Sequence, residues 1–218
     1  MNHTLEIDGI QLQFGERKIL SDIYLQCETG KITGLLGKNG HGKSCLMKAI
    51  YGSLRCEKSV RFDRISIVES FKRPDLIVYL PQCNFIPKSL SLSRVFQDFD
   101  LEYSEFQNRF LEFAKREKDA VGSLSGGECR LLELYIIVRS QSLFALLDEP
   151  FTQLNPLQIE KAMQLLTEEK ARKGILITDH MYRHVIDICD TLYVLTNGKT
   201  YLTKSSADIE ALGYARLQ

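Results

Sequence analysis

Gly37-Lys38-Asn39-Gly40-His41-Gly42-Lys43-Ser44 decides how this chain is read. The stretch fits the spacing G-x-x-x-x-G-K-[ST] without mismatch. It stands between a short apolar run, Ile32–Leu36, and a helix-compatible segment, residues 44–51, that Gly52 ends. A strand that enters a glycine-rich turn and then opens a helix aims successive backbone N–H groups at one point. Glycines let that backbone approach closely. The helix N-terminus adds the positive end of its dipole. Such a loop binds a phosphate chain: Lys43 reaches the β- and γ-phosphates, and Ser44 offers a hydroxyl to Mg2+. The expected contacts are Gly37, Asn39, Gly40, His41, Gly42, Lys43, Ser44 and Cys45, with His41 at a position the pattern leaves open.

A second feature lies about a hundred residues on. Phe144-Ala145-Leu146-Leu147-Asp148-Glu149-Pro150 is an apolar strand that ends in two acids. Open α/β sheets place ligands at the carboxyl ends of their strands. An acid there, Asp148, can hold Mg2+ beside the phosphate loop, and Glu149 can act as general base toward an attacking water. Acids also follow strands simply as solvated turns. The complete phosphate loop upstream favours the functional reading.

Working outward, residues 5–14 and 19–27 alternate apolar and polar side chains as half-buried strands do. Short apolar strands are expected at 77–80, 143–147, 175–178 and 192–195, and helices at 157–172 and 184–189. Asn197-Gly198 signals a hairpin. Strands alternating with helices imply an α/β fold with a mainly parallel sheet. Residues 85–122 differ in texture, rich in Phe, Glu, Gln and Lys, and 95–118 carries apolar residues at helical spacing. The expected organisation is one domain over 1–218, with an α/β core at 1–84 and 123–218 and a small helical lobe inserted at 85–122.

The chain has 218 residues, 44% hydrophobic and 26% charged, with 28 basic and 28 acidic side chains. A formal charge of zero disfavours a general nucleic-acid binder. The first nine residues do not read as a signal peptide. No apolar run approaches the roughly 20 residues that span a bilayer. The cysteines at 27, 45, 56, 83, 129 and 189 include no CxxC pair and are expected to be reduced and mostly buried.

Leu124-Ser125-Gly126-Gly127-Glu128 matches the signature motif of ATP-binding cassettes letter for letter, just upstream of Asp148-Glu149. The chain resembles the nucleotide-binding subunits of ABC transporters from Leu12 to about Gly198. The resemblance implies a P-loop NTPase core, a mainly parallel sheet with flanking helices, an antiparallel β subdomain and an inserted helical lobe. It implies ATP and Mg2+ as ligands. Phe14 takes the place of the aromatic that stacks on adenine. Gln82, in Tyr79-Leu80-Pro81-Gln82, matches the glutamine that reaches Mg2+ or the attacking water and links core to lobe. His180, after Thr178-Asp179, matches the switch histidine at the γ-phosphate. Ser125 and Gly127 would meet the γ-phosphate held by an opposite subunit. His3 and His184 match nothing and are expected to be structural. The resemblance implies pairing, as homodimer or heterodimer with a second ABC ATPase subunit, beneath membrane permease subunits on the cytoplasmic face.

Asn155 departs from the pattern, because relatives end that segment in Leu-Asp. Asparagine keeps hydrogen-bonding capacity and loses the charge. A single-cassette ATPase acting in assembly outside transport is the alternative function. A cassette that binds without hydrolysing is disfavoured by intact Lys43, Asp148, Glu149 and His180.

Overall fold

The computed structural model describes residues 2–214. Met1 and residues 215–218, which the expected domain includes, lie outside the described residues. The glycine-rich loop at 37–42 leaves one of the two middle strands of a six-stranded sheet. That sheet contains β4 (Ile32–Leu36), β7 (Ile77–Leu80), β8 (Phe144–Asp148), β9 (Gly174–Thr178), β10 (Thr191–Thr196) and β11 (Lys199–Thr203), in the order β11-β10-β4-β9-β8-β7. All neighbours are parallel except β10–β11, the hairpin. Asn197 (φ 50) and Gly198 (φ 75) both take the left-handed region at its turn, as a two-residue primed turn demands.

The parallel strands are mostly apolar because both faces are covered. Ala145, Leu147, Ile175 and Ile177 belong to one buried cluster, and Phe144, Leu146 and Leu176 to the other. Successive side chains thus enter opposite cores, as the strand period requires. One core holds α1 (Lys43–Tyr51) under an antiparallel sheet of β1 (Thr4–Phe14), β2 (Arg17–Leu20), β3 (Tyr24–Glu28), β5 (Glu57–Phe62) and β6 (Ile65–Ser66). The other holds α4 (Gly126–Arg139), α5 (Pro156–Glu169) and α6 (Tyr182–Ile188), with a last short helix, α7 (Ser206–Ala211).

Two expectations about secondary structure need correction. Residues 19–27 are not one strand. Their two halves serve different partners: β2 pairs with Leu12–Phe14, the outer end of β1, and β3 with its first half. The chain crosses between them at Ser21–Ile23, and alternation alone carries no mark of that crossing. Nor does helical spacing over 95–118 produce one helix. It is α2 (Leu92–Asp98), α3 (Tyr103–Arg109), a tight turn at Leu111–Phe113 and an irregular remainder. Left-handed Asp100 (φ 53) and Lys115 (φ 65) mark the bends. The bends let Phe96, Phe110, Phe113 and Tyr135 of α4 gather round Phe106 at ring distances of 4.5–5.2 Å. A straight helix would point these rings along a single stripe.

From Cys129 to Val138 every residue of α4 is buried. A helix apolar nearly all round must sit inside, and this one lies between sheet, lobe and α5. β5, β6 and α7 carried no expectation from the sequence. All six cysteines are free, but only Cys27 and Cys129 are buried, and Cys83 is exposed. His3 pairs with Asp63 at 2.6 Å, and His184 packs edge-on against Phe151. Among the described residues no helix is long and apolar enough to cross a membrane.

Candidate active site

Gly42 precedes α1 with φ 97, a conformation that favours glycine. Gly37 is tight for another reason: an added Cβ would lie 2.8 Å from the Leu195 carbonyl. These two glycines let β4 turn sharply into α1. Lys43 is only 7% exposed, and its ammonium donates to the carbonyls of Gly37 (2.6 Å) and Lys38 (3.4 Å). Beside it opens a cleft of about 500 Å³ lined by Asn39, Gly40, Gly42, Ser44 and Cys45 of the loop and by Gln82, Glu149 and His180.

The strand-end acids stand opposite the loop. Ser44 Oγ donates to Asp148 Oδ1 at 3.1 Å, and the Tyr79 hydroxyl donates to Oδ2 at 3.0 Å. Burial pushes the Asp148 carboxyl above its ordinary range, and these two hydroxyls work against that shift. Burial likewise pushes Lys43 down, with Glu149, Asp148 and Asp179 opposing it. A desolvated carboxylate beside a serine hydroxyl is a hard-oxygen donor set suited to a small divalent cation. Ser44 and Asp148 therefore fit Mg2+.

Glu149 stands in the left-handed region, φ 53, held by its amide on the Thr178 carbonyl at 2.7 Å. Its carboxylate accepts from Gln82 Nε2 at 2.9 Å and from the Thr152 hydroxyl at 3.4 Å. His180 Nδ1 lies 3.7 Å away, on the same oxygen. Gln82 thus meets Glu149, while the Asp148 carboxylate is bonded by Ser44 and Tyr79. Asp179 is fully buried and accepts the amides of Phe151 and Met181 at 2.9 Å, which orients the two loops that carry Glu149 and His180.

Some expected residues lie elsewhere. Phe14 is 54% exposed at the end of β1, so it is no core residue, but it does not line the cleft. Arg17 and Ile19 of β2 line it instead. His41 turns away, its Nδ1 3.2 Å from the Leu195 carbonyl. Ser125 and Gly127 are outside the cleft, at the N-terminus of α4. The Ser125 hydroxyl accepts the Glu128 amide and the Glu128 carboxylate accepts the Ser125 amide, a reciprocal cap. Tyr79 escaped the sequence reading because its role depends on register. It pairs with Leu146, which puts it on the face that Asp148 shares two residues on.

A family model described as ABC transporter matches residues 20–152. The lipopolysaccharide export system ATP-binding protein LptB of Acidithiobacillus ferridurans is 30% identical, covering 96% of this chain and 93% of the relative. LptB of Escherichia coli (strain K12) is 31% identical, covering 89% and 88%. A solved structure of the ATP-binding subunit of an ABC transporter has a TM-score of 0.80 at 20% identity, over 96% of this chain and 93% of that one. A nucleotide-free ATP-binding cassette from an ABC transporter has a TM-score of 0.76 at 22% identity, over 96% of this chain and 94% of that one. At these identities the two structures speak to the fold.

Proposed function

The chain belongs to the ABC transporter family, and from that premise we propose how its cleft works. It is the ATP-binding and ATP-hydrolysing subunit of an ABC transporter. A non-transport role is not favoured, since the relatives named above carry the names of an export system.

In our reading the amides from Gly40 to Ser44 and the N-terminus of α1 hold the phosphates of ATP. Lys43 moves from its carbonyl partners onto the β- and γ-phosphates and offsets the negative charge that builds on the leaving oxygen. Ser44 and Asp148 would hold Mg2+, which supplies further neutralisation of the phosphate oxygens. Glu149 accepts a proton from the water that attacks the γ-phosphorus in line, as the bond from that phosphorus to the bridging oxygen breaks. The products are ADP and inorganic phosphate. Gln82 and His180, both against the Glu149 carboxylate, orient that group and the water. Phe14 lies on the same hairpin as Arg17 and Ile19, and all three stand at the adenine end.

Ser125 and Gly127 face a second copy or a paralogue, whose ATP they complete. Two subunits close on two ATP molecules and open after hydrolysis. Residues 85–122 form the lobe through which this motion reaches membrane permease subunits, and the chain stays peripheral to the membrane through them.

The observation that carries this reading is the 3.1 Å hydrogen bond from Ser44 to Asp148, which joins the phosphate loop to the strand-end acids. The test is phosphate release with Mg2+ and saturating ATP. The Glu149→Gln chain is expected to bind ATP and lose at least about 100-fold in turnover, as removal of a general base does. Parent-level turnover in that variant rejects the assignment of the base.

A further inference from the structure

Arg130 and Glu133 are the charged side chains inside the fully buried run of α4, at 2% and 0% exposure. Neither is used by the chemistry above. Burying a guanidinium is costly unless its hydrogen bonds are satisfied. Arg130 turns its two terminal nitrogens to three backbone carbonyls, while its buried Nε has no partner among the described residues. Nη1 donates to Pro81 at 2.7 Å; Nη2 donates to Asp148 at 2.6 Å and Glu149 at 2.9 Å. The first carbonyl immediately precedes Gln82, and the other two belong to the strand-end acids. One side chain of the signature helix therefore ties the tips of β7 and β8 together. Glu133 stands 3.7 Å from Nη1 and accepts the amides of Phe85 and Ile86, where the inserted lobe begins.

Glu149 supplies the link to catalysis. Left-handed backbone is costly for a non-glycine residue and persists only where the surroundings hold it. Here the Glu149 amide is held by Thr178 and its carbonyl by Arg130. That conformation turns the carboxylate toward Gln82 and His180.

We infer that Arg130 is a positioning residue for ATP hydrolysis: its guanidinium clamps the Pro81, Asp148 and Glu149 carbonyls and so sets the aim of the Glu149 carboxylate. The inference rests on the reading of Glu149 as the base. It also gives the signature helix and the lobe entrance a direct mechanical line to that base within one chain. A displacement of α4 would be felt at Glu149 before it is felt at the phosphate loop, because Arg130 bonds the Glu149 carbonyl directly.

The test uses the full chain with Mg2+ and saturating ATP. Arg130→Lys keeps a positive charge beside Glu133, but one ammonium cannot span carbonyls on two strand tips as the planar fork does. Turnover is expected to fall by about 10- to 100-fold with KM within about twofold, the pattern of a misaimed catalytic group with intact binding. Single-turnover phosphate release in the Glu149→Gln background is expected to show no further drop from Arg130→Lys, because the group being aimed is already gone. Three results overturn the inference: parental kcat in Arg130→Lys, a KM that rises in step with the fall in kcat, or an equal loss with and without Glu149→Gln. Should Arg130→Lys not fold, Arg130→Gln is read by the same criteria, and failure of both to bind ATP assigns Arg130 to the fold and overturns the proposal. If Glu149→Gln alone keeps parental turnover, the reading of the base fails; if Glu149→Gln collapses and Arg130→Lys does not, only the present inference fails.

Discussion

The Tyr79 hydroxyl donates a 3.0 Å hydrogen bond to Oδ2 of Asp148, and Ser44 donates to the other oxygen. The buried carboxylate is thereby held at both oxygens. Desolvation raises its pKa, and the two hydroxyls limit that rise. Tyr79→Phe removes one of them, so the carboxyl protonates more readily and binds a cation less well. The Mg2+ concentration for half-maximal turnover is expected to rise about 5- to 10-fold, matching the roughly 1–1.5 kcal/mol of one hydrogen bond. The defect should grow as the pH is lowered, because the raised carboxyl is then increasingly neutral. A magnesium titration at two pH values checks both points.

Gly127 sits against the loop after Glu149. A Cβ there would lie 2.6 Å from the Gln153 carbonyl, a backbone atom that cannot swing aside. Gly127→Ala therefore displaces either the N-terminus of α4 or the Gln153 loop, and leaves the phosphate loop untouched. ATP affinity of the single chain is expected to stay within about twofold, while ATP-dependent pairing in the Glu149→Gln background weakens at least about tenfold, the scale set by roughly 1–3 kcal/mol of overpacking. Equilibrium nucleotide binding and size-exclusion chromatography with ATP read the two quantities separately. Normal pairing would remove the signature glycine from the interface.

Asn155 has a local explanation. Its side chain accepts the Gln158 amide at 3.0 Å, Gln158 returns a bond to the Asn155 amide at 3.2 Å, and Pro156 opens α5. It is a helix cap, and aspartate would serve as well. Asn155→Ala is expected to cost about 1 kcal/mol, and Asn155→Asp to match the parent or gain a few tenths from the helix dipole, on the order of 0.3–1 kcal/mol. Urea unfolding of the three chains decides it.

Lys173 is 2% exposed, with its ammonium on the Ser140 carbonyl at 2.7 Å and the Ser142 hydroxyl at 3.2 Å. Burial lowers its pKa from 10.5 to about 8. Between those values the unfolded chain binds the proton that the folded chain has released, so this group makes stability rise with pH from about 8 toward 10.5. Below about 8 both states are protonated and the full cost of the buried charge is present. Lys173→Met should flatten that rise by about 3 kcal/mol. The parent-minus-variant difference in unfolding free energy isolates it from the cysteines and tyrosines that titrate nearby.

The motif-bearing segments were legible because their conformation is local. Gly37 to Ser44 needs only a strand before it, a helix after it and glycines where backbone must approach a ligand, and all three are written in consecutive residues. The acids at 148 and 149 and the Asn197-Gly198 turn are equally local. The shape of residues 95–118 was not legible, because apolar spacing does not say that aromatic rings will converge on Phe106 from several elements. The division of 19–27 between two strands was hidden for the same reason.

By itself the sequence determined which groups are available for the proposed chemistry: a glycine-rich loop carrying Lys43 and Ser44, the acids Asp148 and Glu149 at a strand end, and the motif that opens α4. Tertiary structure alone decided how these are aimed. Tyr79 reaches Asp148 through the register of β7 on β8, and Arg130 reaches three carbonyls through the burial of α4. Arg17 and Ile19 rather than Phe14 line the cleft because of how one hairpin folds over the loop. Such relationships join residues 18 to 104 positions apart. Local pattern carries backbone conformation and hydrophobic period, whereas the direction of a side chain across a sheet is set by pairings that no single segment contains.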